Sequence, residues 1–312
     1  MELAREADAE QWPALPLKQW HDTCSTLHMW TQIVGKIRMA MTPFQNHWWN
    51  VPLYVNARGL TTSIIPYRNT PFEMCFDFIE QQLVLQVSDG SRRVLPLSAR
   101  TVADFYQEVM RMLESAGIQV TIWPLAVEVP DPIRLDQDRV HASYDPEAAQ
   151  RFWRILLHAQ CVFQEFRSGF IGKCSPIHFF WGSFDLAVAR FSGRPAPPRP
   201  GANGIDREAY SHEDSSVGFW PGGGNITGPA FYSYTAPEPP GFRNAPVRPR
   251  TARYDAQLGE FILMYDDVRG TPSPGATLLE FCQSAYEAGA TFGKWDRHAL
   301  ERRPEPTLDK SA

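Results

Sequence analysis

Cys174-Ser-Pro-Ile-His-Phe-Phe-Trp-Gly-Ser-Phe-Asp-Leu-Ala-Val-Ala-Arg-Phe-Ser-Gly193 is apolar and aromatic almost throughout, leaves a proline turn and carries His178, Trp181, Asp185 and Arg190. Read as one buried strand, it sets positions 178, 180, 182 and 184 on one face and Asp185 on the other unless a bulge intervenes. A weaker copy stands upstream: Pro43-Phe-Gln-Asn-His-Trp-Trp-Asn-Val-Pro-Leu-Tyr-Val-Asn-Ala-Arg58. In both, a histidine follows a proline, precedes two aromatic residues and leads an arginine by 11 or 12 positions. Thr101-Val-Ala-Asp-Phe-Tyr-Gln107 and Thr277-Leu-Leu-Glu-Phe-Cys-Gln283 match in register, each reading as a capping box ahead of an apolar anchor. The pattern predicts a tandem duplication of a helix, antiparallel strands and a second helix. That is the α+β class, with helices on one face of a curved sheet or sheet pair.

Around these anchors the elements follow from periodicity. A helix is expected over 17–41, then strands at 48–55, 60–66, 72–78, 83–87 and 94–97, and a helix from Thr101 to Ser115. Val120–Val129 reads as a further strand. Asp145-Pro-Glu-Ala148 opens a long helix, with aspartate as N-cap and proline in the first helical position. Residues 194–250 hold 11 prolines and eight glycines and read as an insert without continuous regular structure. Within it, 210–213, 218–224 and 231–234 fit short strands or ordered loops. A strand at 259–266 and a helix from Thr277 to Ala288 close the second half. The expected division is a disordered lead-in (1–16), a first repeat (17–129), a connector (130–145), a second repeat with the insert (146–301) and a frayed tail (302–312).

The 312 residues are 43% hydrophobic and 21% charged, which is ordinary for a globular chain. A net charge of −5, with no basic stripe to displace phosphate counterions, argues against nucleic acid as a partner. No window approaches a membrane span, and the first residues lack a signal-peptide core, so no membrane partner is expected. Five scattered cysteines without a Cys-x-x-Cys pair point to free thiols and a cytoplasmic setting.

Several longer words carry a resemblance: Pro176-Ile-His-Phe-Phe-Trp-Gly-Ser-Phe-Asp-Leu-Ala187, Arg190-Phe-Ser-Gly-Arg194, Tyr210-Ser-His-Glu213, Gly218-Phe-Trp-Pro-Gly-Gly223 and Leu258-Gly-Glu-Phe-Ile-Leu263. In the first half Gln32-Ile-Val-Gly-Lys-Ile-Arg38, Asn46-His-Trp-Trp49 and Ala57-Arg-Gly-Leu-Thr-Thr-Ser63 join them. Together they resemble an uncharacterised bacterial family of unknown function, DUF 5996, over roughly residues 15–300. The resemblance implies a conserved bacterial protein of this size. It brings no activity, cofactor or catalytic residue, so the cofactor stays unknown and the sites rest on the residues themselves.

His178 is the first candidate for acid–base work, against a histidine simply bonded to backbone at a turn. His212 and Glu213 form a second, against an ordinary polar pair on a loop. His47, Trp49, Trp181 and Trp220 are candidate walls of a ligand pocket, against tryptophans that are core. Arg58 and Arg190, at matched positions, would clamp a carboxylate or phosphate, or else pair with acids of the chain. A metal centre would need His47, His178 and His212 or Glu213 together, and no local ligand spacing supports one, so no metal is assigned. His28 reads as a packed or rim residue of a helix, and Cys174 as a buried thiol rather than a nucleophile. The leading function is small-molecule binding, with or without catalysis, in a pocket of aromatic and histidine residues between the repeats and the insert. The alternatives are an interaction protein using the insert or a sheet edge, with its protein partner unknown, and a metal-dependent enzyme.

Overall fold

The structure is a computed structural model that describes residues 11–302. Most of the lead-in and nearly all of the tail lie outside these residues. Among the described residues, seven α-helices and two antiparallel sheets make an α+β protein. In chain order they are α1 (Leu17–Met41), β1 (Tyr54–Val55), β2 (Gly59–Thr61), β3 (Phe72–Asp77), β4 (Gln82–Val87), β5 (Arg92–Pro96), α2 (Val102–Ser115) and α3 (Pro146–Ser168). Then follow β6 (His178–Phe180), β7 (Asp185–Pro195), α4 (Gly204–Ala209), β8 (His212–Trp220), β9 (Ala230–Ala236), β10 (Arg253–Asp255), β11 (Glu260–Met264), α5 (Tyr265–Arg269), α6 (Pro274–Phe292) and α7 (Arg297–Leu300). The chain forms two compact units. Unit 1 takes residues up to 160 with 178–187 and 219–230, and unit 2 takes 161–177, 188–218 and 231 onward.

Unit 1 is built on the five-stranded sheet in the order β1-β2-β3-β4-β5, a meander in which every strand pairs with its sequence neighbour. Inward residues of β3 and β4 (Phe72, Met74, Phe76, Leu83, Leu85, Val87) are buried, as period-2 alternation requires. Trp30 of α1 stacks on Phe105 of α2 with centroids 4.4 Å apart, and Phe105 lies beside Phe76 of the sheet. Residues 29–38 of α1 are buried on every side. An amphipathic reading would place Lys36 and Arg38 in solvent; here both are inside.

The six-stranded sheet has the order β10-β11-β9-β8-β7-β6. Its strands β8 and β9 come from the stretch read as an insert without regular structure. The prolines and glycines of that stretch crowd into the connections, which leaves 211–220 and 230–236 free of proline. Backbone donors are therefore intact where the ladder needs them. In unit 2, α6 packs on this material closely enough that a Cβ on Gly289 would run into Thr235 of β9.

Three further expectations are corrected. Val120–Val129 forms no strand, because Pro124 interrupts it and only Ile122 and Ala126 of the run are buried. Residues 174–193 are not one strand: the chain turns over Trp181–Phe184, with Phe184 in the left-handed region at φ 59° and its amide bonded to the Phe180 carbonyl (2.7 Å). Thr277 is not a cap. Helix α6 begins earlier, at Pro274, so Thr277 already lies in its first turn, its hydroxyl bonded to the Ser273 carbonyl and the Thr271 hydroxyl.

Thr101, by contrast, accepts from the Asp104 amide as an N-cap (3.1 Å), and Asp145 accepts from Glu147 and Ala148 at the start of α3. The two matched segments thus differ in local structure at their threonines. Thr101→Ala is expected to cost about 1 kcal/mol and Thr277→Ala less than about 0.5 kcal/mol. Denaturation midpoints at constant m-value check both, and equal losses would restore the equivalence of the two segments.

Candidate functional site

In unit 1 the bridge Leu53↔Phe179 ties the start of β1 to β6 by two hydrogen bonds of 2.9 and 2.8 Å. That register brings Tyr54 and His178 side by side, with ring centroids 5.6 Å apart. Phe180 (5.3 Å) and Trp49 (6.0 Å) flank the same imidazole, and His47 lies 5.2 Å from Trp49. His178 is 1% exposed. His47 holds a left-handed conformation (φ 57°) in the turn 46–48, a placement that turns the chain sharply ahead of Trp49. Asp185 pairs across from Phe180 in the β6–β7 hairpin, and residues directly opposite share a face. Asp185 therefore returns to the His178 side of the sheet, a correction to the single-strand reading. Its carboxylate accepts from the Ser183 hydroxyl.

Arg38, 7% exposed, reaches this group from α1. Its guanidinium lies 5.5 Å from the Tyr54 ring and donates to the Thr62 carbonyl, while its buried Nε makes no hydrogen bond with the described residues. Burial pulls its pKa down and the Tyr54 phenol opposes the shift. A guanidinium keeps its charge, so the site holds a buried cation with one donor unused.

A second group surrounds Trp181. Its indole N–H donates to the Val51 carbonyl (2.8 Å) and its own carbonyl accepts from Gln32 (3.2 Å). His28, one turn below Gln32, hydrogen-bonds the Gly182 carbonyl through Nε2 (3.0 Å). Burial lowers the His28 pKa to about 4, so the ring is neutral and its Nε2–H is the donor. Helix side chains thereby satisfy carbonyls that the turn withdraws from the strand ladder. Lys36, the next residue of the His28–Gln32 stripe, sets its ammonium 5.5 Å from the Trp181 ring and 5.8 Å from that of Trp123.

Unit 1 also holds Arg58 and Trp220. Arg58 is half exposed and pairs with Asp77 (2.6 Å) and Glu80 (3.5 Å), so acids of its own sheet occupy it. Trp220 closes β8, with its ring against the Gly223 backbone.

In unit 2, Glu213 is held by Arg194 (2.6 Å) and Ser192 (2.9 Å), and His212 neighbours the Ser211 hydroxyl (3.2 Å) at the start of β8. Arg190 is buried, with its guanidinium 3.5 Å from the Phe166 ring and 4.3 Å from Tyr286, and it donates to the Phe166 carbonyl. Burial lowers its pKa to about 10. It is a core cation capping the last turn of α3 rather than an open clamp. Burial likewise raises the Cys174 thiol, which suits a thiol at rest. A cavity of about 170 Å³ is lined by Pro197, Pro198, Arg199, Tyr210, Ala236 and Pro237 among others. Near Tyr210 and Tyr234 lies Asp214, a buried carboxyl absent from the sequence candidates.

The structure thus brings His47, Trp49 and His178 together in unit 1 and adds Arg38, Tyr54 and Lys36, which sequence reading missed. The signal for the two cations was present in Gln32-Ile-Val-Gly-Lys-Ile-Arg38, where both fall within the most apolar turns of α1. Among the described residues no cluster of three or more His, Cys, Asp or Glu is placed to hold a metal ion, and no helix is long and apolar enough to cross a membrane. No curated protein and no solved structure matches the chain. Residues 12–302 match a family of unknown function, and the chain belongs to that family, DUF5996.

Proposed function

We propose that the protein binds a small acidic molecule with a planar apolar body, on the unit 1 face formed by Tyr54, His178, Phe180 and Trp49. The observation that carries this reading is the buried Arg38 guanidinium, set against Tyr54 with its Nε unsatisfied. Buried donors in folded proteins are paired, and a ligand carboxylate or phosphate is a natural complement to a guanidinium. Aromatic rings beside it supply the apolar contact typical of small-molecule sites. His178 on the same face, with Asp185 across the hairpin, offers an imidazole that can hydrogen-bond a bound ligand.

Titration of benzoate, indole-3-acetate and phenyl phosphate, followed by thermal unfolding and calorimetry, tests the proposal. At least one acid is expected to bind saturably and raise the unfolding temperature, while the matching amide or alcohol does neither. Arg38→Gln, checked for folding by circular dichroism, is expected to weaken that binding tenfold or more, as loss of a charge-assisted bond of about 1.5–3 kcal/mol implies. Failure of every acid to bind, or binding unchanged in Arg38→Gln, rules the proposal out.

A further inference from the structure

Five lysines occur in the chain, and among the described residues Lys36 is the buried one: it is 2% exposed, whereas Lys18 and Lys294 are in solvent. Buried lysines ordinarily carry a carboxylate or a set of carbonyl acceptors, since an ammonium loses hydration it must replace. Lys36 makes no hydrogen bond or ion pair with the described residues. Around it are two indole faces, Trp181 and Trp123, which attract a cation but offer no acceptor. Trp181 is fixed by its bonds to Val51 and Gln32 and by direct contact with the helix backbone at Gly35. Trp123 is 61% exposed, so on that side the ammonium borders a ring that faces solvent. Glu128 approaches from the third side: its Cγ would lie 3.2 Å from a Cβ on Gly182, and its charge acts on Lys36.

We propose that Lys36 is a reactive amine that forms an imine with a planar aldehyde or ketone held between Trp181 and Trp123. Desolvation favours the neutral amine, as in lysines activated by apolar surroundings, and burial is the leading influence on Lys36, with Glu128 opposing it. The Nζ lone pair attacks the carbonyl carbon, the C–N bond forms, and the carbonyl oxygen takes up a proton to give a carbinolamine. The Glu128 carboxylate relays a solvent proton to that hydroxyl, water leaves as the C–O bond breaks, and the remaining N–H proton returns to solvent by the same carboxylate, giving the neutral imine. One water is released per imine, and no oxidant or reductant is involved. The flat indoles select an aromatic or conjugated carbonyl compound over an aliphatic one. This inference stands apart from the acid-binding face, since it uses neither Arg38 nor His178.

Reductive trapping of the wild-type protein tests it. Folded protein is incubated at pH 7.5 with benzaldehyde and cyanoborohydride, which reduces an imine to a stable secondary amine, and the rate of labelling at each lysine is read by peptide mass spectrometry. An ordinary lysine is neutral in only about one molecule in a thousand at that pH. Lys36 is expected to label at least tenfold faster than the exposed Lys18 and Lys294. A lysine that is merely buried would instead label slowest of all. A Lys36 rate less than tenfold above that of Lys18 overturns the proposal. Glu128→Gln is expected to slow labelling at Lys36 at least threefold while leaving Lys18 unchanged, and an unchanged Lys36 rate removes Glu128 from the reaction.

Discussion

Gly35→Ala is expected to destabilise the folded chain by about 2 kcal/mol, against a helix propensity that alone favours alanine by about 1 kcal/mol. Gly35 lies in the buried part of α1, and a Cβ built there would overlap the Trp181 indole at three of its atoms. Trp181 has nowhere to withdraw. Its ring nitrogen is bonded to Val51, its carbonyl to Gln32, and the side chain is buried. The same substitution at Gly275, near the start of α6, meets only a Val162 methyl at 3.7 Å and is expected to be neutral or slightly stabilising. Urea denaturation of both variants measures the contrast. A Gly35→Ala protein as stable as the wild type would mean that α1 and the 181–184 turn are looser than their contacts require. Displacing Trp181 also exposes its buried indole, so tryptophan emission is expected to move to longer wavelength in Gly35→Ala alone.

Gly35 also shows what a single sequence conveys and what it withholds. Helix α1 was readable from its apolar spacing, as were the Thr101 and Asp145 caps, because those signals lie within a few residues of one another. The meander β2–β5 was readable for the same reason, with alternation and turns both local. What a glycine in α1 makes room for was not, since Trp181 is 146 positions away in the chain.

The misreadings have related causes. Pro124 sits inside a run whose composition is that of a strand, and composition hid its missing donor. Strands β8 and β9 were masked by averaging over a segment whose prolines lie at its turns. The hairpin at 181–184 was masked because Trp181 and Phe184 continue the aromatic run on either side of the short Gly182-Ser183 turn pair. Of the site, His47, Trp49, Trp181 and His178 stood out by type. Lys36, Arg38 and Asp214 did not, because charged residues are informative only once they are known to be buried, and burial belongs to the tertiary structure.

Asp214 gives the largest expected dependence on pH. Its side chain on β8 is 4% exposed, and Oδ1 makes no hydrogen bond with the described residues. Burial pushes its pKa up to about 8, with Arg199 opposing weakly, against about 3.9 for an aspartate in an unfolded chain. Between those values the folded state holds a proton that the unfolded state has released. The contribution to stability is therefore complete below about pH 4 and is lost progressively as pH rises towards 8. Tyr210 and Tyr234, the titratable neighbours, have pKa values raised by their own burial and stay neutral across this window.

Asp214→Asn removes the titration while keeping the shape. An amide leaves donors of its own in the strand interior, so the informative quantity is the change with pH and not the absolute stability. The stability of the variant relative to wild type is expected to rise by roughly 2–4 kcal/mol between pH 4.5 and pH 8.5, part of the 1.36 kcal/mol per unit that linkage allows. Urea midpoints measured at half-unit steps, with a constant m-value, decide the matter. Parallel profiles for the two proteins would show that Asp214 is ionised in the folded state and that its carboxylate has found a partner cation, for which Arg199, whose charge already acts on it, is the candidate.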